Sequence, residues 1–299
     1  MNVTFRQLRL FLALAETGSV SGAAKVLHVT QPTASMQLKQ LTRAVGMPLY
    51  EVVSRKVYLT QAGEELTRTA RAIMAEWEAL AQGMAGLKGH QRGRLRLAVV
   101  STAKHFVPRW VGHFCAQHPD IEVSLEVLNR DGVLARLRDN QDDLYIMSIP
   151  PTDMALQDQV FMRNPLVVIA PWSHPLRKAK QVALSALKDQ KFILRESGSG
   201  TRMAVDRHFK RQRFEPNLRM SLGSNEAIKE AVAGGLGLAV ISQHALPAKP
   251  QSQGLVVLPV KGFPLNSQWH LVCPKAKRLS PLAQMFRTYL MQKPSTVLS

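Results

Sequence analysis

The sequence predicts an all-α N-terminal part, a long connecting helix and a larger α/β part. Three observations carry this reading. Apolar residues recur at helical spacing in short segments between residues 5 and 45. A heptad run of apolar residues then continues from Leu66 to Leu87. From Arg94 onward, short β-rich runs alternate with helical ones, the pattern of an α/β fold. A length of 299 residues is enough for two or three compact units.

The first helix is expected over Phe5–Glu16, with Leu8, Phe11, Leu12 and Ala15 on one side and Gly18 as its stop. A second follows over Val20–Leu27, where Ala23 and Ala24 allow close packing. His28-Val29-Thr30 forms the turn, and Gln31–Val45 the third helix, so residues 20–45 read as a helix-turn-helix. Thr30 is a good N-cap, and Pro32 sits in the first turn, where its missing N–H costs nothing. Ala34, Leu38, Leu41 and Val45 form one apolar stripe. The opposite face carries Pro32, Ser35, Met36, Lys39 and Arg43, flanked by Gln31, Thr33 and Gln37. Hydroxyls and amides read base edges, and Lys and Arg hold phosphates. Taken alone, the same face also fits an ordinary amphipathic helix with a solvated polar side.

Gly46 and Pro48 end this helix. Leu49–Leu59 is rich in β-branched and aromatic residues around Ser54-Arg55-Lys56, which predicts a hairpin with a basic tip. Three helices and a hairpin make a winged helix-turn-helix, with Arg55 and Lys56 placed for phosphate or a minor groove. Thr60 then caps a helix running to about Lys88. Its apolar positions Leu66, Ala70, Ile73, Trp77, Leu80, Met84 and Leu87 follow heptad order, which predicts pairing with a second copy; a buried internal helix is the alternative. Gly83, Gly86, Gly89 and Gly93 loosen its end and suggest a hinge.

In the α/β part, LRLAVV (95–100) ends in Ser101-Thr102, and KFILRE (191–196) ends in Ser197-Gly198-Ser199-Gly200-Thr201-Arg202. Each leads into a helix, the first expected over Lys104–Gln117. A largely parallel sheet would bring two such strand ends together in a cleft suited to anions. Candidate ligand contacts there are Ser101, Thr102, Lys104, Ser148, Thr201, Arg202 and Asn225, with simple helix capping as the alternative role for the hydroxyls. Further strands are expected at 121–128, 144–149, 165–170, 218–222, 236–242, 255–260 and 267–273, and a helix over Val133–Asn140.

The formal net charge is +18. Residues 1–88 hold 10 basic and 6 acidic side chains, and the remainder 29 and 15, so most of the excess lies outside the helix-turn-helix. That balance suits anionic partners, both nucleic acid and a small ligand. Cys115 shares a helical face with Val107, Trp110, Val111 and Phe114 and is expected to be a buried free thiol. The histidines show no metal spacing, and neither a metal nor a cofactor is expected. The N-terminus has no small-residue cleavage site, and no apolar run is long enough to span a bilayer, so a cytoplasmic location is expected. An enzyme is disfavoured by the absence of a P-loop or G-x-S-x-G elbow. Gly234-Gly235-Leu236-Gly237 leads into a strand rather than out of one, unlike a dinucleotide fingerprint. The lack of a signal peptide and the winged part count against a solute-binding protein.

The N-terminal run FRQLRLFLALAETGSVSGAAKVLHVTQPTASMQLKQL, with Gly46, Leu49-Tyr50 and VYLTQAG after it, resembles LysR-type transcriptional regulators, and the resemblance covers essentially the whole chain. It implies a DNA-binding domain at 1–59, a dimerising linker helix at 60–89 and an effector-binding domain at 90–299 of the periplasmic-binding-protein type. Within the last, subdomain I would be 90–162 with 267–299, and subdomain II 163–266. The implied partners are double-stranded DNA with an interrupted inverted repeat, a small coinducer, further copies up to a tetramer, and RNA polymerase. A narrower resemblance is to the CbbR branch, which regulates carbon-fixation genes and answers to phosphorylated metabolites. STAKHFVPR (101–109), NRDGVLARLRDNQDDLYIMSIPP (129–151), ESGSGTR (196–202) and GSNEAIKEAVAGGLGLAVIS (223–242) carry it. Two positions depart from the family pattern: Val52 and Met36 stand where basic residues are frequent.

Overall fold

The computed structural model describes residues 2–54, 56–87 and 92–292. Arg55 of the expected wing tip and Gly89 of the expected hinge lie outside the described residues. The chain divides into two compact units, Met1–Ala81 with Asp139–Gln141, and Gln82–Arg138 with Asp142–Ser299.

In the first unit, α1 (Phe5–Thr17) starts in a reciprocal Thr4–Gln7 capping box and ends at Gly18 with φ 64°. Ser19 caps α2 (Val20–Val26), and Thr30 caps α3 (Gln31–Val45), accepting from the Thr33 N–H. Gly46 closes α3 in the left-handed region. Leu10, Phe11 and Leu14 of α1 pack with Ala23, Ala24, Ala34, Leu38 and Leu41 in one core. β1 (Tyr50–Val53) and β2 (Lys56–Leu59) pair antiparallel as the wing. The Thr60 hydroxyl then donates to the Pro48 carbonyl and accepts from the Gly63 N–H at the start of α4 (Gln61–Leu87). A Cβ on Gly63 would lie 1.9 Å from the Leu49 carbonyl oxygen, so only glycine lets α4 approach the wing so closely. Farther along α4, Ile73, Trp77, Leu80 and Met84 are exposed, and the Trp77 ring meets Phe5 at 5.1 Å.

In the second unit, β3 (Gly93–Val100) leads through a 3-10 turn at Ser101–His105 into α5 (Val107–Gln117). The expected helix from Lys104 is thus split, because Pro108 lies in the first α-turn, where it needs no N–H acceptor. β4 (Ile121–Leu128), α6 (Arg130–Arg138), β5 (Leu144–Met147) and β6 (Leu156–Pro171) follow. α6 begins at Arg130 and ends before Asn140, earlier than expected at both ends. Next come β7 (Lys191–Arg195), α7 (Gly200–Arg211), β8 (Asn217–Leu222), α8 (Asn225–Ala233) and β9 (Leu238–Ser242). β10 (Leu255–Leu258), β11 (Leu265–Pro274) and α9 (Pro281–Gln292) complete the described chain.

The strands join in the order β4-β3-β5-β11-β6-β9-β7-β8, with β10 on β6. The sheet is mixed rather than largely parallel. β3 pairs parallel with β4 and β5, and β7 with β8 and β9, while β5, β6, β9, β10 and β11 meet antiparallel. The difference comes from β6, which extends back to Leu156 instead of starting at Pro165, and which pairs antiparallel with β11 along its length. These two long strands join two lobes with separate cores. One is built on Leu97, Val99, Trp110, Phe114, Trp269 and Phe286. The other centres on Val168, Phe192, Leu194, Phe209 and Val240. Cys273 is buried, but Cys115 is only half-buried, near the edge of the α5 face that packs inward.

Candidate functional site

Two surfaces collect the polar residues singled out in the sequence. On α3, packing of Ala34, Leu38 and Leu41 into the core turns the opposite face outward. Gln31, Pro32, Met36, Lys39 and Arg43 are exposed, and Thr33, Ser35 and Gln37 half-buried. The Thr33 hydroxyl lies 2.8 Å from that of Thr30, so it is shared with the helix cap. Met36 is 54% exposed in the middle of this face, a large apolar side chain offered to solvent. Lys56 is exposed on β2 opposite Val53.

The second surface lies between the two lobes. Ser101 and Thr102 follow β3, Ser148 follows β5, and Ser199, Gly200 and Thr201 open α7. With Val100, Arg130 and Arg195 they line a cavity of about 10 Å³, room for one water. The Ser199 hydroxyl caps α7 by accepting from the Arg202 N–H, and the first N–H groups of a helix have no intrahelical acceptor and favour anions. Gly200 is required for this closeness: a Cβ there would lie 2.3 Å from the Ser148 Oγ.

Arg195, at the end of β7, is 3% exposed and organises the site. Its Nε and Nη2 donate to the two Glu196 carboxylate oxygens at 2.7 and 2.8 Å. Nη1 donates to Thr102 Oγ1 at 2.9 Å and Asn225 Oδ1 at 3.3 Å, and Nη2 also reaches Ser101 Oγ at 3.1 Å. Asn225 in turn donates to Thr102 Oγ1 at 3.1 Å. A buried guanidinium is tolerated only when its donors are satisfied, and here they tie one lobe to the other. Arg130 is half-buried and donates through Nε and Nη2 to the Ile149 carbonyl at 3.4 and 3.2 Å, a neutral acceptor that does not cancel its charge. The far end of α6 is held by Arg136, two of whose nitrogens reach the buried Asp142 carboxylate at 2.7 Å each.

Beside this cavity, Lys104 Nζ meets Glu226 Oε2 at 2.9 Å, and His105 Nε2 lies 3.5 Å from Glu226 Oε1. Burial alone would raise the Glu226 carboxyl, but hydrogen bonds from Ser224 and Lys104 outweigh it and hold it down to about 2. Burial lowers His105 despite the neighbouring Glu226.

The structure thus brings Ser101, Thr102, Ser148 and Thr201 to one cavity and places Asn225 behind them, against Arg195. It does not bring Lys104 or Arg202 to the cavity wall. Lys104 is turned to Glu226, and Arg202 spans to Asp206 at 2.9 and 3.0 Å and to the Arg195 carbonyl at 3.0 Å. Sequence reasoning missed Arg130, Arg195, Ser199 and Glu226. Arg195 carried a signal, a charged residue closing the apolar run KFIL just before a glycine-serine turn.

Both parts of the chain are similar to known proteins. Residues 5–64 match the family described as bacterial regulatory helix-turn-helix protein, lysR family, and residues 88–295 match the LysR substrate binding domain. The chain is 46% identical over 289 residues to the HTH-type transcriptional activator CmpR of a Synechocystis strain, covering 97% of this chain and 95% of that one. It is 44% identical over 289 residues to the RuBisCO operon transcriptional regulator of Acidithiobacillus ferrooxidans, covering 97% and 94%. The solved regulatory domain of Synechocystis CcmR in complex with 2-PG is 47% identical, with a TM-score of 0.65, over 67% of this chain and 97% of that one. A winged reader joined to an α/β sensor with a polar cavity between its lobes, matched over nearly its whole length by these relatives, makes the chain a member of the LysR family of transcriptional regulators.

Proposed function

We propose that this regulator controls carbon-fixation genes and is switched by a small phosphorylated carboxylate of the 2-phosphoglycolate type. The observation that carries the ligand class is the pair Arg130 and Arg195 in one cavity with Ser101, Thr102, Ser148, Ser199 and Thr201. Two guanidinium groups, several hydroxyls and a helix N-terminus suit a phosphate and a carboxylate held together. The solved CcmR domain at 47% identity carries 2-PG, which supports the same class here.

A cavity of about 10 Å³ is too small for such a ligand. Binding therefore requires the lobes to part, with the ligand's oxygens taking over donors that Arg195 now gives to Ser101 and Thr102. Only this difference in affinity between the two arrangements drives the switch. Asn225 acts as a positioning residue for Arg195.

Residues 1–59 serve as the DNA reader, 60–89 as the linker and 90–299 as the sensor, whose subdomains are 90–162 with 267–299 and 163–266. Gln31, Pro32, Thr33, Ser35, Met36 and Lys39 read the major groove, and Lys56 with Arg55 holds the flanking backbone. The exposed Ile73, Trp77, Leu80 and Met84 of α4 pair two copies, and dimers associate into tetramers on an interrupted inverted repeat. The complex works in the cytoplasm with RNA polymerase.

DNase I footprinting of the upstream regions of neighbouring operons, with and without 2-phosphoglycolate, tests the reading. A protected inverted repeat whose footprint length changes with the ligand is expected. Protection that no phosphorylated carboxylate alters would exclude this ligand class.

A further inference from the structure

The second unit also holds a groove of about 1310 Å³ that shares no lining residue with the effector cavity. Its floor is apolar: Phe161 and Met162 are buried, whereas Val160 and Val257 remain 45% and 37% exposed. One wall is the segment Gln243–Pro250, where Pro247 and Pro250 stiffen the backbone, and Pro165 does the same on β6. A preformed apolar floor with a few polar groups at its edge is the usual form of a small-molecule site.

The charged part of the edge is one-signed: Arg109 and Arg163 line it, and no aspartate or glutamate does. His105 and His244 line it too, as imidazoles that burial biases toward the neutral form. Arg163 is exposed, while its carbonyl oxygen fixes the His244 ring through Nε2 at 2.9 Å. Glu226 meets His105 and is shared with Lys104. An occupant therefore meets apolar carbon below and positive charge at the rim.

We propose that this groove is a second ligand site, separate from the effector cavity, that takes an organic anion with an apolar body. The 3-10 turn Ser101–His105 separates the two sites: Ser101 and Thr102 line the effector cavity, and His105 lines the groove. A ligand in the groove thus presses on the element that holds Arg195, and its binding is coupled to effector binding in both directions.

The probe is 8-anilinonaphthalene-1-sulfonate, an apolar body with one negative charge, titrated by fluorescence into the full-length protein. Uncharged N-phenyl-1-naphthylamine is the matched control. Val257→Glu should weaken both probes at least fivefold, whereas Arg163→Gln should weaken only the sulfonate, by roughly fivefold, the equivalent of about 1 kcal/mol for one exposed ion pair. Arg207→Gln, an exposed position on α7 that does not line the groove, should leave both unchanged. Arg163 is exposed, so its variant keeps the fold even if Val257→Glu does not. Equal sulfonate affinity in wild type and Arg163→Gln would overturn the proposal. So would loss of the site on raising protein concentration, which would show that a second copy covers the groove.

Discussion

Arg195 Nη1 donates to Thr102 Oγ1 at 2.9 Å, joining residues 93 apart in the chain and on different lobes. Because Asn225 donates to the same hydroxyl, Thr102 is the point where three elements converge on one oxygen. The contact holds the cavity shut and is also the one a bound anion would have to replace.

Replacing Arg195 by methionine removes the lobe-to-lobe hydrogen bonds and leaves Glu196 without its bidentate partner. Breaking a buried pair from one side costs about 3 kcal/mol, so urea unfolding should show a loss of that order. Calorimetry with 2-phosphoglycolate should show at least a tenfold drop in affinity. An unchanged affinity would place the effector elsewhere.

Gly200 and Ser148 form a steric pair, with 2.3 Å between the Ser148 Oγ and a Cβ at residue 200. Gly200→Ala should destabilise the sensor by about 1–3 kcal/mol through overpacking. Ser148→Ala removes the offending oxygen, and its remaining Cβ lies 3.6 Å from the added methyl. The double variant should recover most of the loss, and a double-mutant cycle on unfolding free energies measures the coupling. Additive effects would contradict the geometry.

Glu226 titrates at about 2 in the folded chain, below its ordinary 4.5. A depressed carboxylate contributes stability that is fully present above the unfolded value and is lost as pH falls through the folded one. The stability difference between wild type and Glu226→Gln should therefore be constant above about pH 5 and shrink between 4.5 and 2. Denaturant melts across that range check it; a difference that grows on acidification would reverse the sign.

Met36 stands 54% exposed on the α3 face proposed to enter the major groove. An apolar side chain there contacts a thymine methyl, so Met36→Ala should cost about 1 kcal/mol at one A·T position of the operator and little elsewhere. Binding measured on a set of single-base operator variants separates this from a uniform loss. Equal affinity at every position would rule the contact out.

The helices of the winged reader were legible in the sequence, but the inward face of α1 was not: Leu10, Phe11, Ala13 and Leu14 pack into the core, whereas Leu12 and Ala15 of the expected stripe do not. Thr4, Ser19 and Thr30 cap helices, Gly18 and Gly46 end them, and the α3 stripe points inward. The cavity was half legible. Ser101, Thr102, Ser148 and Thr201 follow strands or open a helix, positions that local pattern identifies. Lys104 and Arg202 stand off the cavity wall because each long side chain pairs with a carboxylate, Glu226 for one and Asp206 for the other. For Lys104 that partner is 122 residues away.

By itself, the sequence determined the helices, their caps, the heptad stripe and the alternation that builds the α/β part, because these rest on spacing within a few residues. Only the tertiary structure decided which strands run antiparallel, that β6 and β11 join two lobes, and that Arg195 rather than Arg202 faces Thr102. The physical reason is the same in each case. Strand pairing and charge pairing are settled by which distant groups burial forces together, and a buried guanidinium must find acceptors wherever the fold supplies them.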